Sequence, residues 1–180
     1  MMKPSLSSAN LFLIGYRGTG KSTVAGIVAE KLGWPWIDAD SLLEERHGRS
    51  IAEIFASEGE AAFRDREAAL LEELCRQEQL VVATGGGVIL RDANRTLLRR
   101  SGRCLWLTAD PPTIAERMAM DPATNARRPR LTSGGIAEIE ELLKIREPLY
   151  RQCADWTVDT MGRTPAEVAA IILERVVPLD

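Results

Sequence analysis

The chain is short of the residues on which several common chemistries depend. Its 180 residues include one histidine, His47, and three cysteines, Cys75, Cys104 and Cys153, widely spaced and without a C-x-x-C pair. That argues against a zinc site and a disulfide framework, and the cysteines read as small buried hydrophobes in a reducing cytosol. His47 closes a charged Glu44-Glu45-Arg46 stretch before Gly48 and reads as the exposed end of a helix, with no catalytic role. No apolar run approaches the roughly 20 residues of a membrane span. The short Ser-rich segment Met1–Asn10 carries a single lysine and does not read as a signal peptide. Acids and bases nearly balance, 26 against 23, for a net charge of −3, so no electrostatic footprint for nucleic acid is expected.

What is present is a 45% apolar chain long enough for one substantial core and too short for two enzymatic units. One cytoplasmic domain over 1–180 is expected, with residues 1–9 flexible and a monomer fitting the small size. Gly15-Tyr16-Arg17-Gly18-Thr19-Gly20-Lys21-Ser22 fits G-x-x-x-x-G-K-[ST] in full, follows the apolar run Leu11–Ile14 and precedes a helical Ser22–Leu32 segment. That context makes it a phosphate-binding loop. Its glycines let successive N–H groups converge on phosphate oxygens. Lys21 adds a point charge near the β- and γ-phosphates, and the helix start adds its positive dipole end. Ser22 is the expected hydroxyl ligand of Mg²⁺, with Thr23 a poorer fit one residue on. Gly18, Thr19, Gly20, Lys21, Ser22 and Thr23 are therefore the candidate nucleotide contacts.

Short β-rich runs at Leu11–Ile14, Trp36–Ile37, Leu80–Ala83, Cys104–Leu107 and Trp156–Val158 alternate with helical segments, which predicts a parallel sheet covered by helices. The helices are expected at Ser22–Leu32, Ser41–His47, Ile51–Ala56, Gly59–Arg76, Ala93–Ser101, Pro112–Met120, Ile136–Cys153 and Pro165–Val176. Trp34 and Trp36 read as core packing. In such folds ligands collect beyond the carboxyl ends of the strands. Asp38 and Asp40 follow the second strand, Gly85-Gly86-Gly87 the third, and Asp159 to Arg163 the fifth, while Asp110 before Pro111-Pro112 reads as a helix N-cap. Residues 121–135, rich in Pro, Gly and Arg, read as a lid bringing guanidinium groups to a transferring phosphoryl.

Asp38 is the candidate to hold Mg²⁺ through a water. Asp40 could accept a proton from an acceptor hydroxyl, although part of its work is expected to be capping the helix that follows. Three glycines after a buried strand are hard to justify by packing, and close backbone approach to a ligand is the expected reason. Arg64 begins a helix among acids, where a surface ion pair is the plain alternative. Arg146 lies on a helical stretch interrupted by Pro148. Two planar, bidentate arginines suit an acceptor carrying a carboxylate as well as a hydroxyl.

These motifs, with Gly48-Arg49-Ser50-Ile51-Ala52-Glu53-Ile54-Phe55, Gly59–Glu67, Arg128-Pro129-Arg130-Leu131 and Arg146-Glu147-Pro148-Leu149-Tyr150, occur in an order that resembles the shikimate kinase family over nearly the whole chain. The resemblance implies a three-layer α/β/α P-loop NTPase fold of the nucleoside-monophosphate-kinase kind, with a five-stranded parallel sheet and a mobile lid. It implies ATP with Mg²⁺ as phosphoryl donor and shikimate, phosphorylated at its 3-hydroxyl, as the small-molecule partner, with no nucleic acid or membrane involved. By position, Asp40 contacts shikimate hydroxyls and is the base, Arg64 and Arg146 hold the carboxylate, and the Gly85, Gly86 and Gly87 backbone binds the ring. Lys21 and Arg128 serve the transferring phosphoryl, and Arg163 lies against adenine. The family usually continues Arg-Pro with Leu-Leu, so Arg127, Arg128 and Arg130 all stand as candidates for the lid arginine. A gluconate kinase is the nearest rival, a nucleoside monophosphate kinase a weaker one. A GTP-dependent switch lacks its Asn-Lys-x-Asp signature, and a silent binding domain of the same fold should have lost Lys21, Asp40 or an acceptor arginine.

Overall fold

The computed structural model describes residues 9–120 and 135–176. In chain order the elements are β1 (Asn10–Ile14), α1 (Lys21–Leu32), β2 (Trp36–Asp38), α2 (Ala39–His47), α3 (Ile51–Leu74), β3 (Val81–Ala83), a 3₁₀ turn at Val88–Leu90, α4 (Asp92–Ser101), β4 (Gly102–Thr108), α5 (Pro111–Met120), α6 (Gly135–Cys153), β5 (Trp156–Asp159) and α7 (Pro165–Val176). The five strands form one sheet in the order β2-β3-β1-β4-β5, and every neighbouring pair is parallel. All five carboxyl ends therefore lie along one edge. The expected α/β class and five-stranded parallel sheet are what the chain forms.

The central strand β1 is buried along its whole length, as a strand covered on both faces must be. Its side chains alternate between two cores. Phe12 and Ile14 join Val82 and Trp106 beneath Phe63, Leu71, Leu98 and Tyr150 of α3, α4 and α6. Leu11 and Leu13 join Val81, Leu105 and Val158 beneath Val24, Val28, Val168 and Ile172 of α1 and α7. That division is the three-layer arrangement, set by the period-2 alternation of strand side chains. A third cluster joins Tyr16 of the phosphate loop to Ile114 and Met118 of α5 and to Ile139 and Leu143 of α6.

Several local expectations hold and a few are corrected. Ser50 and Glu53 form a capping box at the start of α3, and Asp110 caps α5 by accepting from Thr113 N at 2.8 Å. Ile51–Leu74 runs as one element, yet Gly59 at φ 81°, ψ 173° breaks it, in a backbone region only glycine enters without strain. Arg64 therefore lies near the start of the second helical stretch of α3, five residues past the break, as the expected helix from Gly59 implies. Pro148 does not interrupt α6. It is exposed, so the one hydrogen bond it removes faces solvent, and the helix continues to Cys153. Trp34 is half-buried, but Trp36 is 45% exposed: β2 is the edge strand, and the indole rests over Gly26 of α1 instead of entering the core. His47 ends α2 exposed, and Cys104 and Cys153 are buried while Cys75 is half-buried. Among the described residues no helix is long and apolar enough to cross a membrane.

Candidate active site

The phosphate loop leaves β1 through Gly15, whose φ is 142°; a Cβ there would stand 2.4 Å from the carbonyl oxygen of Leu107 on β4. Only glycine lets the chain turn over that strand end. Gly18 and Gly20 also have positive φ, and Gly20 is the N-cap of α1, which has no acid in its first turn to offset the positive end of its dipole. The buried Thr19 hydroxyl donates to the carbonyl of Tyr16 at 2.8 Å, which makes that side chain a brace within the loop. Lys21 Nζ donates to the same oxygen at 2.8 Å, with only 8% of the residue exposed. Ser22 and Thr23 follow, both exposed, in the first turn of α1.

Across the sheet edge, Ser22 Oγ donates to Asp38 Oδ2. The other carboxylate oxygen of Asp38 accepts from Ser41 N at 2.9 Å, so Asp38 is the N-cap of α2. The capping expected of Asp40 thus belongs to Asp38, because the helix begins two residues earlier than its periodicity suggests. Asp40 sits in the first turn, half-buried, and lines a small cleft with Glu67, Thr84, Gly85 and Val88. Among the described residues no group of three or more His, Cys, Asp or Glu is placed to hold a metal. The Ser22–Asp38 oxygen pair fits a hard cation that keeps most of its waters and needs few protein ligands.

Arg64 is not on the surface. It is 7% exposed, donates through Nη1 to Glu67 Oε2 at 2.7 Å and through Nη2 to Glu60 Oε1 at 3.1 Å, and its guanidinium carbon lies 5.0 Å from the ring centroid of Phe63. Its two Nη atoms lie close against Gly87, where a Cβ would come within 2.4 Å of Nη1 and 2.5 Å of Nη2. Gly86 in turn abuts the phosphate loop, where a Cβ would stand 3.4 Å from Arg17 N and Gly15 O. One of the three glycines, Gly87, is therefore explained by the protein's own close approach, where a ligand alone was expected to fill the space; at Gly86 an added methyl would make only ordinary van der Waals contact. The carbonyls of the turn are bonded internally: Gly85 accepts from Val88 N, Gly87 from Leu90 N, and Gly86 from the hydroxyl of the fully buried Tyr150. Tyr150 stacks on Trp106 at 5.7 Å between centroids. One turn earlier on α6, the guanidinium carbon of Arg146 lies 5.5 Å from the ring centroid of Tyr16.

Arg163 is exposed beyond β5, where it donates to the carbonyl of Asp159 at 3.0 Å. It stands near an open groove bounded by Thr108, Ala109, Asp159 and Met161 along the same sheet edge. Arg127, Arg128, Arg130 and the expected lid at 121–135, apart from Gly135 itself, lie outside the described residues, as does 1–9 apart from Ala9. The structure thus brings Lys21, Ser22, Asp38, Asp40, Arg64, Gly85 to Gly87 and Arg146 to one edge, with Arg163 on its far side.

Four contributors escaped the reading of the sequence. Glu67 braces Arg64; the i, i+3 spacing of the two was visible, but their burial was not. Tyr150 is 64 residues from the Gly86 carbonyl it holds. Tyr16 filled a variable position of the loop. Arg117 of α5 bonds both the hydroxyl and the carbonyl of Thr160 at 2.8 Å, fixing the turn that carries Arg163, and no local pattern announces it.

A family model described as shikimate kinase matches residues 17–177. The chain is 46% identical over 175 residues to the shikimate kinase of Rhodopirellula baltica, covering 97% of this chain and 94% of that one. It is 43% identical over 167 residues to the shikimate kinase of Pseudomonas paraeruginosa, covering 92% and 95%. Its fold matches that of a shikimate kinase from Acinetobacter baumannii solved in complex with shikimate, with a TM-score of 0.88, 35% identity, and 94% and 93% of the two chains covered. Set beside the phosphate loop, the paired aspartates and the two arginines gathered at one sheet edge, these likenesses place the chain in the shikimate kinase family.

Proposed function

We propose that this protein transfers the γ-phosphoryl group of ATP to the 3-hydroxyl of shikimate, giving shikimate 3-phosphate and ADP on the route to chorismate and the aromatic amino acids. The observation that carries the reading is the position of Asp40: it lies in one cleft with Gly85 and with Glu67, the ion-pair partner of Arg64, along the same sheet edge as the phosphate loop.

Phosphoryl transfer asks the protein mainly for alignment and positive charge. The N–H groups of Gly18 to Ser22 and the Lys21 ammonium hold the triphosphate. Ser22, and Asp38 through water, would hold Mg²⁺, whose chemistry there is to neutralise phosphate charge. Arg64 and Arg146 bind the shikimate carboxylate, and the N–H groups of Gly85 to Gly87 face its ring hydroxyls. That pose sets the 3-hydroxyl against Asp40, which accepts its proton as the new O–P bond forms and the bond from Pγ to the β-phosphate oxygen breaks, releasing ADP. Arg128 serves the transferring group and Arg163 the adenine. In the same reading the chain is one cytoplasmic, monomeric kinase domain over 1–180, with 121–135 as its lid and no nucleic acid or membrane among its partners.

A coupled assay of ADP release tests this. Turnover with shikimate and none with gluconate is expected. Turnover with gluconate alone would overturn the assignment and favour the nearest rival.

A further inference from the structure

The nucleotide chemistry does not require an aromatic ring at the second position of the phosphate loop, yet Tyr16 is placed with care. It is 2% exposed, with its ring packed against Ile114 and Met118 of α5 and Ile139 and Leu143 of α6, and with Arg146 over the ring at 5.5 Å. Its carbonyl accepts from both Lys21 Nζ and Thr19 Oγ1. One residue therefore touches the lysine of the donor half and an arginine of the acceptor half.

Among the described residues Arg146 forms no hydrogen bond or ion pair; the ring contact is what orients it. A long side chain without such a partner would sample many rotamers and lose them on binding substrate. Fixing it with a carboxylate would order it but would also neutralise the charge that an anionic acceptor needs. An aromatic face attracts the cation through its quadrupole, adds no net charge, and leaves the in-plane N–H fork directed outward for a carboxylate.

We infer that Tyr16 is a positioning residue for the substrate carboxylate: it holds the Arg146 guanidinium in place with its full charge available. This rests on the carboxylate role proposed for Arg146. The burial of the ring between α5 and α6 explains why it can do so, since a ring free to turn could not fix the plane of another group.

Tyr16→Leu and Tyr16→Met remove the ring while keeping an apolar side chain, and Tyr16→Phe keeps it. The measurements are KM for shikimate and for ATP in these variants, in Arg146→Ala and in the Tyr16→Leu/Arg146→Ala double variant. Loss of the ring should raise shikimate KM about fivefold, the factor that about 1 kcal/mol makes at 25 °C, with ATP KM within about twofold of the parent. Tyr16→Phe should restore shikimate KM, and Tyr16→Leu should add nothing once Arg146 is alanine. Independent, multiplying effects in the double variant would overturn the inference, as would a rise in ATP KM equal to that for shikimate. A raised shikimate KM in Arg146→Ala with an unchanged one in both ring-less variants overturns the inference alone. An unchanged shikimate KM in Arg146→Ala overturns the carboxylate role and the inference together.

Discussion

Arg64 on α3 and Arg146 on α6 approach the same edge of the sheet, and the protein holds them in opposite ways. Arg64 is buried against Glu67, braced by Glu60 and packed close on Gly87, so two carboxylates balance its charge and its N–H groups point in fixed directions. Arg146 is half-buried on an aromatic ring, without a carboxylate partner among the described residues. The first arrangement supplies geometry and ties the site to the stability of the core. The second supplies net charge and has little bearing on folding. A buried ion pair is costly to break from one side, because the remaining charge stays desolvated, whereas a cation resting on a ring leaves no such residue behind.

The widest test of that contrast removes the chemistry both arginines are proposed to serve. Asp40→Asn should lower turnover about 10²–10⁴-fold, the usual range for losing a general base, while calorimetry shows ATP binding largely retained. Comparable turnover in the variant would leave the arginines without the proposed reaction to orient.

Next comes the pair itself. Arg64→Ala should raise shikimate KM and also destabilise the fold by about 3–5 kcal/mol, since Glu67 stays buried without its arginine. Arg146→Ala should raise shikimate KM with a thermal midpoint close to that of the parent. Equal loss of stability in the two variants, read by denaturant titration, would erase the distinction.

A smaller effect is expected from Gly87→Ala. The added methyl meets the Arg64 guanidinium at 2.4 Å, an overpacking worth about 1–3 kcal/mol. Shikimate KM should rise and ATP KM should not. An unaltered shikimate KM would mean that Arg64 can shift without consequence, and that its fixed geometry is unimportant.

The smallest effect concerns the exposed ion pairs of α3. A hydrogen bond from Arg66 holds the Glu58 carboxyl below its ordinary range, and one from Arg46 does the same for Glu73. Their folded values are depressed, so the stabilisation is present above the ordinary carboxyl pKa and is lost as pH falls through the folded values. Thermal melts from about pH 6 to about pH 3 should show a shallow acid decline that about 1 M salt reduces. A steep decline unaffected by salt would mean that these exposed pairs are not its source.

Legibility followed distance along the chain. The phosphate loop could be read because its function depends on eight consecutive residues whose backbone conformations are encoded locally, and its glycines adopt the positive φ the pattern implies. Strands β1, β3 and β4 announced themselves as apolar runs, and Gly33 and Thr164-Pro165 marked helix ends. The errors arose where a local rule had two outcomes. Either aspartate of Asp38-Ala39-Asp40 could cap a helix, and the first does. Pro148 could break a helix or sit on its wet side, and it does the latter. Trp36 is bulky and apolar, but an edge strand has only one fully covered side.

The sequence by itself therefore determined the parallel α/β class, and it supplied the candidate donor loop and the residue types of the proposed acceptor site, because each depends on periodicity or on a short contiguous pattern. Only the tertiary structure decided how those residues are held: Arg64 against Gly87, Tyr150 on the Gly86 carbonyl, Arg146 over Tyr16. Such contacts join segments up to 130 residues apart, as Tyr16 and Arg146 are. The strand order β2-β3-β1-β4-β5 brings them together by gathering the carboxyl ends of all five strands along one edge.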